Sequence, residues 1–189
     1  MKKILLLTII MLTSLSASAQ QKTGGLEIIP KVGFNLTSVV GDNTDKASTK
    51  FALFGGGEAM YQVSPLIAVS GGLLVSAQGC ELEGKGNTLS LTYLNVPLLA
   101  NFYVARNLAL KVGLQPAFNL SAKYKFDGGS IDADAQSVVL DIPIGISYEI
   151  SSFIIDARYN FGVTKINKGD GSTRNSVFQI GVGYKIPIF

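Results

Sequence analysis

Histidine and tryptophan are absent from the 189 residues, cysteine occurs once, and charged residues make up only 15%. Each shortage removes a class of chemistry. Without histidine there is no Ser-His-Asp triad, no Cys-His dyad, no His-ligated zinc or haem and no imidazole acid/base step, so an enzyme is not expected. A lone Cys80 excludes an internal disulfide and any multi-cysteine metal site. A formal charge of +3 leaves no electrostatic footprint for nucleic acid. No cofactor is expected. Beyond residue 19 there is also no apolar run of the roughly 18 residues that a spanning helix needs. Yet 47% of the residues are hydrophobic, and the charged share is far below the ~25% of a soluble domain. A large apolar surface must therefore be organised by something other than helices, and lipid is its natural solvent.

The first segment, Met1 to Ala19, carries Lys2 and Lys3, an apolar stretch from Ile4 to Leu12 and then Ala17-Ser18-Ala19. That order of a charged start, a short apolar run and a small-x-small site predicts a secretory signal peptide over residues 1–19. Residues 20–189 are then the exported domain. Removal of Lys2 and Lys3 from the 16 basic residues, against 13 acidic ones, leaves the mature chain nearly neutral. No cysteine follows the cut, so no lipid anchor is expected there.

Alternation organises the rest. From Ser137 to Ile150 the even positions are Val138, Leu140, Ile142, Ile144, Ile146, Tyr148 and Ile150, while the odd ones include Asp141, Gly145, Ser147 and Glu149. Such a period of two is a strand with unlike faces. Leu108 to Ser121, Phe153 to Val163 and Ser176 to Phe189 repeat the pattern, and noisier versions run near Leu26 to Val39, Phe51 to Val63, Leu66 to Gln78 and Ser90 to Val104. The connections alternate in length. They are long at Gly41 to Lys50, Gly79 to Leu89, Ala122 to Gln136 and Thr164 to Asn175, and short at Ser64-Pro65, Arg106-Asn107 and Ser151-Ser152. An even strand number with alternating short and long connections predicts an all-β, antiparallel, up-and-down transmembrane barrel of eight strands, with periplasmic turns and termini and external loops.

A soluble carrier barrel shows the same alternation with its apolar face inward. The polar face decides between them, because here it is rich in small residues: Gly33, Asn35, Gly56, Ser70, Gly72, Gly113, Gly145, Ser147, Gly162, Gly181 and Gly183. An eight-stranded lumen is just wide enough for side chains to fill it, so bulk must be rationed on that face. By the same parity Lys31, Lys111, Arg158 and Lys185 point inward with Glu58, Asp141, Glu149 and Asp156. Counted from the turn ends, Lys31, Glu58, Asp156, Arg158 and Lys185 fall at similar depth on neighbouring strands, which predicts a lumenal ion-pair cluster that Lys111 and Asp141 are expected to join. Its role is expected to be a structural plug. Tyr148, Tyr159, Tyr184 and Phe178 are expected to anchor the outer wall at the lipid interfaces.

Three stretches carry a family resemblance: Lys31-Val32-Gly33-Phe34-Asn35-Leu36, Tyr93-Leu94-Asn95-Val96-Pro97-Leu98-Leu99, and Ala157-Arg158-Tyr159-Asn160-Phe161-Gly162. They are similar to motifs of the PorT-like outer-membrane β-barrel domain common in Bacteroidota. The end, with Gln179, Gly181, Tyr184 and Ile186, resembles the signal read by the barrel-assembly machinery. Pro187 departs from it, and a bulge or fraying is expected there because proline cannot donate to the ladder. The resemblance implies an outer-membrane address, lipid and the assembly machinery as partners, and a monomer. It does not imply one shared activity. Three roles stay open: a structural or surface-interaction protein acting through its loops, an accessory of a protein-export system with a secretion-system partner, or a small-solute or lipid-binding barrel with Tyr93 and Tyr103 inward.

Other constellations are weaker. The carboxylates of Asp127, Asp132 and Asp134 lack the spacing and final glutamate of an EF-hand. The glycine-rich segments 84–87 and 169–172 read as turns, since no helix follows to make a phosphate cradle. Cys80 is flanked by Glu81 and Glu83, which disfavours a thiolate. Asp141 and Glu149, eight residues apart on one strand, lie too far apart for a glycosidase pair.

Overall fold

The computed structural model describes residues 23–41, 47–82, 88–126, 128–133, 135–166 and 172–189, so the expected signal segment, residues 1–19, lies outside the described residues. The described strands are β1 (Leu26–Gly41), β2 (Ala47–Ser64), β3 (Ile67–Leu82), β4 (Thr88–Asn95), β5 (Leu98–Ala105), β6 (Leu108–Phe126), β7 (Gly129–Asp132), β8 (Val138–Ile150), β9 (Phe153–Gly162), β10 (Thr173–Tyr184) and β11 (Ile186–Pro187). Every pairing is antiparallel.

Strands β4 and β5 form one wall strand. Both lie between β3 and β6, and the register runs unchanged through the gap, with Leu74↔Asn95 and Gly71↔Leu98 on one side and Asn95↔Ala117 and Leu98↔Leu114 on the other. The gap falls at Val96-Pro97, where proline has no N–H for the ladder. Around it the Val96 N–H donates to Pro116 O at 2.8 Å and the Gly72 N–H to Pro97 O at 3.1 Å. The ring closes where β10 pairs with β1, from Lys31↔Gly183 to Gly41↔Thr173. The wall is therefore the eight-stranded up-and-down barrel that the alternation predicts.

Two expectations are corrected. The connections expected to be long are partly strand among the described residues: β1 runs to Gly41, β2 begins at Ala47, β3 runs to Leu82, and β6 runs to Phe126 before folding back as β7, with Lys123↔Asp132 and Phe126↔Gly129 in register. Near Pro187 there is no bulge. Strand β11 keeps the β1 register of β10, with Ile28↔Ile186 and Glu27↔Pro187, and the Ile188 N–H donates to Leu26 O at 2.8 Å. Proline fits because residue 187 has the parity of Lys185, whose N–H points away from β1 to Ser152 O, so its missing donor breaks no bond to β1.

The two faces of the wall settle its solvent. Outward-facing Val32, Leu53, Leu73, Leu98, Ile144 and Phe153 are half to two-thirds exposed, whereas Arg158, Asn35, Gln115, Lys31 and Glu58 are buried at 0–2% exposure. A soluble barrel has the opposite arrangement. At the turn end Tyr61, Phe102, Tyr148, Phe153 and Tyr184 stand outward as an aromatic girdle, with Phe153 and Tyr184 edge to face at 5.2 Å. Phe178 also faces out, and Tyr159, half-buried on the outer wall, shares a 2.5 Å hydrogen bond with Ser176 Oγ.

Candidate functional site

The interior is stacked in layers. Nearest the turns, Ile29, Met60, Ala68, Tyr103, Ala109 and Ile154 pack as an apolar floor. Nearest the loops, Val39, Cys80, Leu91, Tyr93, Ala117 and Val139 pack with Ile166 from the β9–β10 connection as an apolar lid. Between floor and lid lie the charges.

Five of them meet. Lys31 Nζ bonds Glu58 Oε2 at 2.7 Å and Asp156 Oδ2 at 2.5 Å, Lys111 Nζ reaches the same Asp156 oxygen at 3.2 Å, and Arg158 Nη2 donates to Glu58 Oε1 at 2.7 Å. All five side chains are at most 2% exposed. Three cations face two carboxylates. The carboxylates are shared because the residues come from four strands around the ring, β1, β2, β6 and β9.

The glycines explain how such long side chains fit. Gly72 pairs with Glu58, and a Cβ on it would sit 2.6 Å from Glu58 Cγ. Gly145 pairs with Arg158, and its Cβ would sit 2.7 Å from Arg158 Cγ. Gly183 pairs with Lys31, and its Cβ would sit 2.8 Å from Lys31 Cγ. Each charged stem thus lies flat across a neighbouring strand in the space that a side chain would take. Phe54 does the same over Gly33 and Gly181.

The membership differs from the sequence expectation at two residues. Lys185 does not enter the five-residue cluster. It bonds Glu149 Oε2 at 2.7 Å and Glu27 Oε2 at 3.0 Å, and Tyr103 Oη donates to Glu149 Oε1 at 2.6 Å. This second network sits at the turn end, beside the floor. Asp141 is not in the cluster either; it is 1% exposed and neither carboxylate oxygen has a hydrogen-bond partner among the described residues. Depth counted along a strand misleads because the strands are tilted and staggered, so equal counts from the turns are not equal heights. The Tyr103–Glu149–Lys185 network and the Ile166 lid leave no mark in the alternation.

Of the assembly-signal residues, Gln179 lies inside, donating to Asn35 Oδ1 at 3.1 Å, Gly181 lies under Phe54, and Tyr184 and Ile186 face outward. Cys80 is fully buried in the lid. The Asp127 and Asp134 positions and residues 84–87 and 169–171 lie outside the described residues. Depressions of about 470 and 350 Å³ mark the outer wall, one lined by Leu26, Tyr61, Val69 and Leu98, the other by Val32, Phe153 and Tyr184.

A family model described as outer membrane protein beta-barrel domain matches residues 18–168, which span β1 through β9. Among solved structures, Neisserial surface protein A is similar at TM-score 0.60 and 15% identity over 84% of this chain and 97% of that one. Ail, the attachment invasion locus protein of Yersinia pestis, in complex with the heparin analogue sucrose octasulfate, is similar at 0.57 and 19% over 87% of this chain and 100% of its own. OprG from Pseudomonas aeruginosa is similar at 0.51 and 16% over 89% and 99%. Identities this low speak for the fold alone. No curated protein matches the chain.

Proposed function

Because the chain belongs to the outer membrane protein beta-barrel domain family, we propose that it is a non-catalytic barrel, plugged by its own side chains, that meets a surface partner through its loop end, with the short turns and the termini in the periplasm. The observation that carries this reading is the β6–β7 ribbon. It rises past Val138, the loop-side end of β8, while β6 stays paired with β4 on its other flank, and it displays Tyr124, Phe126 and Ile131 at 41%, 44% and 58% exposure, with Lys123 and Lys125 on its other face. Exposed aromatic side chains are the composition that interface cores favour. The ion-pair layer supports the plug, since a carboxylate shared by three cations is held too tightly to be swept by permeating ions.

Protease added to intact cells tests the reading. Cleavage is expected within 122–136 and not at Ser64-Pro65, Arg106-Asn107 or Ser151-Ser152; the reverse pattern overturns the orientation. In planar bilayers no steady ion-selective current is expected, and such a current overturns the plug. Placement in the PorT-like group belongs to the same proposal and rests on the three motif stretches. An export defect on deletion would move the role from surface contact to secretion.

A further inference from the structure

Above the ion-pair layer lies a belt of buried side chains in which several oxygens, and the amide nitrogens of Asn95, Gln115 and Asn160, have no hydrogen-bond partner among the described residues. Asn95, Gln115, Asp141, Asn160 and Gln179 are each 0–1% exposed. Among the described residues, Asn95 Oδ1, Gln115 Oε1, both Asp141 carboxylate oxygens, Asn160 Oδ1 and Gln179 Oε1 accept no hydrogen bond. Those are six oxygens on five side chains. The five come one each from β4, β6, β8, β9 and β10, successive strands around the ring.

The stagger of the barrel brings them to one height. Below them, Lys31 pairs with Gly56 on β2 but bonds Glu58, two residues nearer the turns. The belt follows the same offset. Asn95 pairs with Ala117, and Gln115 is two residues nearer the turns on β6. Gln115 pairs directly with Asp141. Asp141 pairs with Gly162, and Asn160 is two residues nearer the turns; Asn160 pairs with Val177, and Gln179 is again two nearer. In a lumen as narrow as eight strands allow, side chains at one height converge on the axis.

Asp141 is the one charged side chain of the belt, above a layer of three cations on two carboxylates. Lys31 and Lys111 are held by Glu58 and Asp156, Lys185 by Glu27 and Glu149, and Arg158 Nη2 by Glu58. No ion pair reaches Asp141 among the described residues, and the Gln115 amide, its ladder partner, lies beside it with N–H groups to offer. An isolated buried carboxylate is costly unless a cation or donors meet it. One carboxylate with four amide carbonyls is an all-oxygen donor set of the size that hard cations take, calcium binding six to eight such oxygens. Nitrogen and sulfur ligands, which would suit zinc or copper, are missing from the belt.

The geometry points to a lumenal binding site for a hard cation, held by Asp141 with Asn95, Gln115, Asn160 and Gln179, between the ion-pair layer and the apolar lid. The donor chemistry is shared by Ca²⁺ and Na⁺, so the experiment runs both ions.

The full chain, folded in detergent and stripped of metal in a buffer whose only cation is bulky and organic, is dialysed against radioactive Ca²⁺ or Na⁺. Saturable uptake of one ion per chain is expected in one arm, and that arm names the ion. Asp141→Asn, nearly isosteric, is expected to weaken uptake by at least about tenfold, while Asp132→Asn on the exposed β7 leaves it unchanged. Asn160→Asp adds a second carboxylate to the belt and is expected to tighten Ca²⁺ by roughly tenfold, as ligand charge count does elsewhere; it also serves if Asp141→Asn fails to fold. No saturable uptake by the wild type in either arm overturns the site, as does uptake that survives in Asp141→Asn or vanishes in Asp132→Asn.

Discussion

Lys31 and Val32 are neighbours in the chain and strangers in the barrel, one 2% and the other 67% exposed. The same holds for Asp156 at 1% and Ile155 at 43%. Inward, the ion-pair layer and the groups beside it have named partners at set distances: Lys31 with Glu58, Tyr103 with Glu149, Gln179 with Asn35. Outward, side chains meet a fluid that asks only for apolarity. The inner wall therefore specifies identity, and the outer wall specifies class.

Substitutions sort along that division. The largest loss is expected for Glu58→Ala, which strips Arg158 Nη2 and Lys31 of a shared carboxylate. Leaving a buried charge uncompensated costs about 3 to 5 kcal/mol, read as a lower urea midpoint of the folded barrel. On the outer wall Val32→Arg puts a charge against hydrocarbon, and about 2 to 4 kcal/mol is expected in reversible unfolding from lipid vesicles. A smaller loss there than for a conservative inner change would break the comparison. Tyr103→Phe deletes only the hydroxyl on Glu149, so a loss of about 1.5 to 3 kcal/mol is expected, as for hydrogen bonds to charged groups. Gly145→Val drives a side chain into Arg158 Cγ and Ala157 O, and about 1 to 3 kcal/mol of overpacking is expected by the same urea measurement. Leu73→Ile, outward and 58% exposed, is expected to change stability by less than about 0.5 kcal/mol.

How much of this the sequence discloses follows from where contrast exists. Between the aromatic girdle and the upper edge of the apolar band, lipid lies on one side and packed polar groups on the other, so Val138 to Ile150 reads as a strand at sight. Past the band both faces meet water, the contrast vanishes, and Lys123 to Phe126 reads as loop although it is paired strand. The site divides in the same way. Parity along one strand tells that Lys111, Asp141 and Lys185 point inward. Which of them meet is set by the offset between strands, a property of the closed ring that no single strand encodes; hence Lys111 joins Asp156 while Lys185 joins Glu149.

The seam between β1 and β10 bears on how the molecule is made. Asn35 and Gln179 are bonded across 144 positions of chain, so β1 has no permanent neighbour on one flank until β10 has been synthesised and delivered. Until then two raw edges stand open, each a template for the wrong strand. Completion is an all-or-nothing event that waits for β10, and a chain cut short before Thr173 is left as an unsealed sheet.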